Sequence, residues 1–402
     1  MKKIIALLIL AAWMLAGCGG RMAAETEPPT QTAVEAMEVP FETKPDLRKY
    51  LGTQLQFYSL LSGDAPEADA LNQAAAFFEA QTGAEVSFRW FSGDGQALAA
   101  AMEETGAADI FEIAGGELAS RKNDAMDLAE LAAAADYESH SYAPLRQQVL
   151  QRCGYLAGIP IRPYLTGVYY NRDAFVACGI EKTPESWEDF LDVCGRLAES
   201  GWAPLTMDNE NAWIPLALHL KRNLDADRAD ALISGGWEKD AGELMSQLAG
   251  LAQSGFLMDG CPMEYPAGQN KIALSNAVMA AGSNRLCGQV EQATLINISW
   301  GVFAWPGSGD GAGTAVDADV LAVCRTTPNA QAAFDFILLL ATGEFDQLRA
   351  DLSGGIPADP ANESAISGAC GLLAASDGRS LTPVAAPDNS RILKLWQGKL
   401  TP

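Results

Sequence analysis

The sequence has few basic residues and almost no histidine. Of its 402 residues, 27 are Lys or Arg and 51 are Asp or Glu, which gives a formal net charge of −24, and two are His. Nucleic acids and anionic membrane surfaces would repel so acidic a chain, so we expect it to bind neither. The two histidines, His140 and His219, leave little room for a zinc site or histidine-based catalysis. The composition therefore predicts neither a metal nor a cofactor.

Sequence motifs of cofactor-binding and catalytic sites are also absent. No zinc-protease, P-loop or nucleophile-elbow motif occurs in the sequence. The glycine-rich stretch 307–313 precedes strand-like residues rather than the helix that a dinucleotide site requires, which favours a surface loop. No two of the eight cysteines have the two-residue spacing of a redox or zinc motif. Seven remain after Cys18, an odd number; we expect most to be small buried hydrophobes, and the sequence leaves any pairing open.

Length and apolar content nevertheless predict a well-folded protein. At about 150 residues per domain, the length indicates two or three domains. Apolar residues make up 49% and charged residues 19% of the chain, a balance typical of a folded body.

The first residues indicate export. A basic start precedes the apolar run Ile4–Leu15, which is too short to span a bilayer. Ala16, Gly17 and Cys18 follow, so residues 1–17 are predicted to be a signal peptide. The segment ending at Cys18 resembles a bacterial lipobox, which implies a lipidated Cys18 and a membrane anchor on the extracytoplasmic face. The alternative is an ordinary signal peptide with a chance cysteine. Residues 18–49 have few bulky apolar side chains and are predicted to be a flexible tether.

The body then alternates strands and helices. Strands are predicted at 54–59, 85–91 and 109–113, with helical spacing between them, one helix ending at Gly83. This order is typical of a parallel sheet, in which ligands bind beyond the carboxyl ends of the strands. Asp64 and the loop 114–117 would lie at that edge. A second block contains predicted helices at 186–200, 237–254 and 330–340 and predicted strands at 297–304 and 319–323.

Several segments, in order, resemble those of a known family. They are Gly158–Ile161, Val168–Phe175, Gly179–Ile180, Thr183–Phe190, Gly201–Leu205, Lys271–Ala273, Val278–Asn284, Gly301–Pro306, Ala332–Leu340 and Gly355–Ala358. Together they are similar to the extracellular solute-binding proteins of family 1, the sugar-type group that serves ABC importers. The likeness runs from about residue 53 to residue 360. Asn284 departs from it, because the family commonly has a tryptophan there, and the chain ends where many relatives begin a last helix.

The resemblance implies an α/β fold of the two-lobed, type II-like periplasmic-binding-protein kind, with mixed sheets, flanking helices and a ligand cleft between the lobes. Lobe 1 would comprise 50–165 and about 300–350, and lobe 2 166–299 and about 351–402. It implies a non-enzymatic, monomeric, lipid-anchored protein that captures a mono- or oligosaccharide for the permease subunits of an ABC importer. Two alternatives stay open: a non-sugar solute, such as a polyamine, a polyol phosphate or a metal complex, and a secreted carbohydrate-active enzyme with paired carboxylates.

Aromatic rings can cover the C–H faces of a sugar, and carboxylates and amides can bond its hydroxyls. On this basis the candidate ligand residues are Ser62, Asp64, Glu117, Tyr164, Asn209, Asn211, Trp213 and Asn284. Six of them have a structural alternative: helix capping for Asp64 and Glu117, turn formation for the loop asparagines, and core or wall packing for the two aromatics. Asp109 and Trp305 are predicted to be structural.

Overall fold

The computed structural model describes residues 49–103, 108–207, 212–232, 242–262, 277–309, 311, 313–381 and 389–397. The predicted signal peptide, Cys18 and nearly all of the predicted tether lie outside these ranges, as do Asn209, Asn211 and the start of the helix predicted at 237–254. The described residues all belong to one compact unit, Phe41–Pro402. The lobe boundaries given above stay a prediction.

Within the described ranges the sheet has eight strands in the order β2-β1-β3-β8-β4-β6-β5, with β7 paired to β4 outside this path. The strands are β1 Gln54–Ser59, β2 Glu85–Trp90, β3 Ile110–Ala114, β4 Ile159–Asn171, β5 Ala203–Thr206, β6 Ala277–Ser283, β7 Trp300–Phe303 and β8 Ala315–Val323. Strand β1 pairs parallel with β2 and β3, which confirms the predicted parallel block. Strand β8 adds antiparallel to β3, so the whole sheet is mixed.

Helices flank the sheet. They are α1 Pro66–Thr82, α2 Gly95–Met102, α3 Leu118–Arg121, α4 Ala129–Ala134, α5 Ala143–Cys153, α6 Arg172–Ala177, α7 Trp187–Glu199, α8 Ile214–Asn223, α9 Ala226–Ala231, α10 Gly242–Gln253, α11 Arg285–Thr294, α12 Ala330–Ala341, α13 Gly343–Ser353, α14 Ala369–Ala375 and α15 Asn389–Trp396. Short 3-10 turns occur at Gly115–Glu117 and Tyr137–His140.

Local sequence signals fix the ends of the best-predicted helices. Helix α1 has Pro66 in its first turn, where the missing N–H costs nothing, and it ends at Gly83 with a left-handed φ of 77°. Helix α7 begins with a capping box: Asp189 N–H donates to the Ser186 hydroxyl, and Ser186 N–H donates to the Asp189 carboxylate. Both helices were predicted, the first from apolar spacing and its ending at Gly83, and the second at 186–200.

Strand β4 crosses the sheet and carries partners along both edges. Thr166 is the register partner of Ser283 of β6 and of Ala315 of β8, so β6 and β8 lie on opposite edges of β4. Val168 likewise pairs with both β6 and β7, which places β7 on the same edge as β8. Strands β7 and β8 therefore follow one another along β4. This pairing extends β8 back to Ala315, four residues before the strand predicted from sequence.

Two of the apolar cores formed by the described residues lie around the second half of this sheet. One contains Phe190 and the fully buried Trp305, which confirms the structural role predicted for this tryptophan, and it includes Ile392 and Trp396 of α15. The Trp396 indole donates to the Ala212 carbonyl at 2.7 Å, which fixes α15 to this core. The other core surrounds the buried Tyr169.

Two sequence-based expectations differ from the structure. Only Cys153, Cys194 and Cys287 are buried, whereas the other four described cysteines are partly exposed, and all seven are free thiols. The glycine-rich stretch is less of a free surface loop than predicted, because its described residues pack on the end of α8. A Cβ at Gly309 would lie 2.4 Å from the Arg222 carbonyl oxygen, so only glycine allows this approach.

Gly115, which follows β3, packs directly against β8. A Cβ there would lie 2.2 Å from Asp317 Oδ1 and 2.4 Å from the Ala318 carbonyl oxygen. Arg152 of α5 holds Asp317 in place with hydrogen bonds of 2.8 and 3.1 Å. We therefore expect Gly115→Ala to lower the free energy of unfolding by about 1–3 kcal/mol, as overpacking typically does. Gly116→Ala is the matched control, because a Cβ at Gly116 meets nothing within 4 Å. Equal urea midpoints for the two variants would show that Gly115 does not pack closely against Asp317 and Ala318.

His219 is buried in the core around Trp305. Its Nδ1 accepts a hydrogen bond from the Trp305 indole at 3.0 Å, and its ring centroid lies 4.9 Å from that of Trp187. Burial lowers the pKa of His219 from 6.5 to about 4. The folded protein therefore keeps this ring neutral at pH values where the unfolded chain protonates it.

This difference makes stability depend on pH. The stabilising contribution is complete above the unfolded pKa of 6.5 and is lost as the pH falls toward the folded value of about 4. In that window we expect a loss of up to about 1.4 kcal/mol per pH unit from this group. Urea unfolding of the wild type and of His219→Gln should be measured across this pH range. The difference between the two profiles gives the contribution of His219 to the free energy of unfolding, because the carboxylates contribute equally to both. Parallel pH profiles would show that the ring does not contribute.

Candidate functional site

A buried cluster of opposite charges lies beside the three neighbouring strands β3, β8 and β4. At its centre is Arg162 of β4, whose side chain is 13% exposed. Its guanidinium lies 3.2 Å from Glu67 Oε2 and 3.0 Å from Asp319 Oδ2, and it also contacts the Glu112 carboxylate. Burial opposes the charge, but Asp319 and Glu67 more than offset it, so the pKa of Arg162 is raised. We call Arg162, Glu67, Glu112 and Asp319 the junction cluster.

The junction cluster is tied to the carboxyl end of β1 and to α13. The Glu112 carboxylate accepts hydrogen bonds from the Ser59 hydroxyl at 2.7 Å and from Leu60 N–H at 2.8 Å. On the other side, Arg349 of α13 lies 3.7 Å from Glu67 and forms a 2.5 Å ion pair with the buried Asp346. The cluster therefore links β1 and α13 to β4.

Tyr164 and Arg285 extend this cluster toward solvent. The Tyr164 hydroxyl donates to the Asp319 carboxylate, and Arg285 donates to the Tyr164 oxygen. Burial, reinforced by Asp319, raises the pKa of Tyr164 to about 12, so the phenol stays protonated. The Arg285 side chain is 60% exposed, and its Cζ lies 4.1 Å from the centre of the Tyr164 ring. An aromatic ring, a cation and a buried carboxylate thus meet, and the cation is the accessible member of the three.

Ser62, Asp64 and Glu117 lie at the carboxyl ends of adjacent strands. Ser62 and Asp64 follow β1, and the Ser62 hydroxyl donates to the exposed Asp64 carboxylate. Glu117 ends the 3-10 turn after β3 and is exposed. It lines a cavity of about 290 Å³ together with residues of β3, α2 and α3. Since β1 and β3 are neighbours, all three residues lie along one edge of the sheet.

The other candidates have structural partners or are not described. The Asn284 amide is 6% exposed; it accepts from Leu165 N–H at 3.0 Å and donates to the Pro163 carbonyl at 3.2 Å. It thus holds the backbone on both sides of Tyr164. Trp213 is partly buried and packs against the core around Trp305. Asn209 and Asn211 lie outside the described residues. Binding roles for these candidates stay predictions.

Sequence reasoning missed Arg162, Arg285 and Asp319. One signal could have found the first: polar side chains alternate at Arg162, Tyr164 and Thr166, the period of one face of a strand. Two prolines in this segment obscure it as a strand signal. Asp109 is structural as predicted, because its carboxylate accepts from Gln56 N–H at 2.8 Å and from Asn329 Nδ2 at 3.2 Å.

Within the described ranges, no group of three or more His, Cys, Asp or Glu side chains is arranged to hold a metal ion. A separate finding is that none of the described helices is long and apolar enough to cross a bilayer.

The sheet order, with β4 and β8 shared between its two halves, is that of a two-lobed α/β binding-protein fold. A family model, bacterial extracellular solute-binding protein, matches residues 64–344. The match spans more than half of the 402-residue chain, so this protein belongs to that family. The resemblance identified from sequence is thereby confirmed. A search of curated proteins found no match.

Solved structures confirm the fold. Apo RafE from Streptococcus pneumoniae has a TM-score of 0.66 at 16% identity, with 87% of this chain and 98% of that chain covered. A putative binding protein, msme, from Bacillus subtilis in an open conformation has a TM-score of 0.64 at 18% identity, covering 87% and 93%. A Bacillus licheniformis sugar transporter in complex with stachyose has a TM-score of 0.58 at 16% identity, covering 87% and 96%.

Proposed function

We propose that this protein captures a mono- or oligosaccharide outside the cytoplasm and delivers it to the permease subunits of an ABC importer. The observation that carries the proposal is the exposed guanidinium of Arg285, which is held on Tyr164 and the buried Asp319 beside the junction cluster. A guanidinium can donate to the hydroxyls of a sugar, and its flat face can pack against C–H groups. Structural neighbours include RafE in complex with raffinose and a chitin oligosaccharide binding protein, which supports the ligand class.

Binding a sugar at such a site requires no covalent bond to form or break. Each hydroxyl that a sugar buries without a partner costs about 1–3 kcal/mol, so charged and polar partners around the ring determine which sugar is accepted. Ser62, Asp64, Glu117 and Trp213 are the further residues that we propose to contact the ligand. Closure of the lobes around it would present a distinct surface to the importer.

We further propose that Cys18 carries the lipid anchor and that the protein acts as a monomer on the extracytoplasmic face of the membrane. The lipobox-like segment that ends at Cys18 supports the anchor. Incorporation of labelled fatty acid by the wild-type chain, but not by Cys18→Ser, is the expected result. Equal labelling of the two chains would place the lipid elsewhere.

A thermal-unfolding screen of residues 49–402 tests the ligand class. A ligand at about 100 times its dissociation constant stabilises the fold by roughly 2.7 kcal/mol, which shifts the midpoint by several degrees. We expect a shift from raffinose, stachyose, chitin oligosaccharides or a related saccharide.

The same screen separates the alternatives. A shift from a polyamine, a polyol phosphate or a metal complex, with none from any saccharide, would keep the fold and overturn the proposed ligand class. New reducing ends appearing in an oligosaccharide during incubation would indicate a carbohydrate-active enzyme instead.

A further inference from the structure

Arg285 is an exposed cation held on a buried support. It is the first residue of α11, directly after β6, and its guanidinium covers the Tyr164 ring with Cζ 4.1 Å from the ring centre. It donates to the Tyr164 oxygen and lies 3.6 Å from Asp319 Oδ2. Tyr164 in turn donates to Asp319, whose side chain is 5% exposed. The guanidinium is therefore positioned by its neighbours rather than moving freely on a flexible stem.

The two residues beneath Arg285, Tyr164 and Asp319, are themselves held in place. Arg162 bonds Asp319 through Nε at 3.1 Å and through Nη2 at 3.0 Å. Asn284 binds the backbone of Leu165 and Pro163, the neighbours of Tyr164, and this joins the start of α11 to β4. Such preorganisation lowers the entropy that a ligand contact would otherwise cost.

The outer side of Arg285 remains available to a ligand. A guanidinium carries five N–H donors in a planar fork. Among the described residues, the polar contacts of Arg285 are those with Tyr164 and Asp319, and 60% of its side chain is exposed. Adjacent hydroxyl oxygens of a sugar ring can each accept from one N–H of such a fork, while the flat guanidinium packs against C–H groups.

The charges around Arg285 favour a neutral partner. The junction cluster, together with Arg285 and the Arg349–Asp346 pair, contains three guanidinium groups and four carboxylates. No positive charge is left in excess to attract an acidic sugar. Arg285 would therefore act through its donor geometry, not through net charge.

We infer that Arg285, seated on Tyr164, is a ligand-binding residue that determines specificity by donating paired hydrogen bonds to adjacent hydroxyls of a neutral saccharide. This inference rests on the proposed function. Lysine keeps the charge but loses the planar fork, so Arg285→Lys should weaken binding of the tightest saccharide in the panel at least about tenfold. Arg172→Lys is the matched control, since Arg172 is also exposed and also begins a helix after a strand. Its affinity should equal that of the wild type.

Deoxy analogues of that saccharide provide a second readout. A hydroxyl whose removal weakens wild-type binding, but leaves the affinity of Arg285→Lys unchanged, is the one that Arg285 binds. Equal affinities of Arg285→Lys and the wild type for the saccharide would overturn the inference while leaving sugar binding intact. So would additive losses for every deoxy analogue, or tighter binding of galacturonate oligomers than of neutral sugars. Absence of any saccharide binding by the wild type would instead overturn the proposed function.

Discussion

Replacing Arg162 by alanine should lower the free energy of unfolding by about 3–5 kcal/mol, the usual cost of removing one partner from a buried ion pair. The variant would leave the carboxylates of Glu67, Glu112 and Asp319 without their shared cation, in surroundings where Glu112 is 3% and Asp319 5% exposed. Urea unfolding measured by circular dichroism gives the difference directly.

Arg379→Ala is the control for this prediction. Arg379 lies 3.6 Å from Asp377, and both side chains are nearly half exposed, so the loss should be below about 1 kcal/mol. If Arg162→Ala cost no more than Arg379→Ala, the junction cluster would not be a stabilising element of the fold.

Replacing Asp319 by asparagine should weaken saccharide binding by about 10- to 100-fold. The amide keeps the shape of the side chain but loses the charge that accepts from Tyr164 and Arg162 and that lies near Arg285. Hydrogen bonds to charged groups contribute about 1.5–3 kcal/mol, and loss of the Asp319 charge would release Tyr164 and Arg285 from their present positions. Calorimetric titration measures the change in affinity.

Asp317→Asn provides a matched comparison on the same strand. This variant removes the charge that binds another arginine, Arg152. Asp317 lies opposite Tyr164 in the β4–β8 register, but its side-chain hydrogen bonds among the described residues join Arg152 and Ala318 N–H, not Tyr164 or Arg285. We expect a loss of stability with unchanged affinity. An equal loss of affinity in the two variants would show that the effect comes from the strand and not from the site.

The sequence predicted those elements whose determinants are local. Strand β1 and the helix that begins at Pro66 follow from side-chain alternation, proline placement and the glycine at position 83, all within one segment. The capping residues of α7 are equally local. By contrast, the length of β8 depends on β4, more than 140 residues away in sequence, so no local pattern could give it.

The candidate site likewise contains residues that local sequence could predict and residues that only the pairing of distant segments brings together. Asp64 and Glu117 could be predicted because the carboxyl ends of parallel strands identify an edge of the sheet. Arg162 and Asp319 could not be paired from sequence, because only the antiparallel register of β4 and β8 places them opposite each other. Arg285 joins them through packing of α11 on β4, and Asn284, predicted as a ligand residue, has its amide bonded to the β4 backbone.

Calorimetric titration of residues 49–402 with the saccharide that gives the largest thermal shift, followed by chemical analysis of the recovered sugar, shows whether the protein binds a saccharide without altering it. We expect saturable binding at one site and complete recovery of the unchanged saccharide. Absence of heat from every saccharide tested, or recovery of a cleaved product, would contradict this expectation.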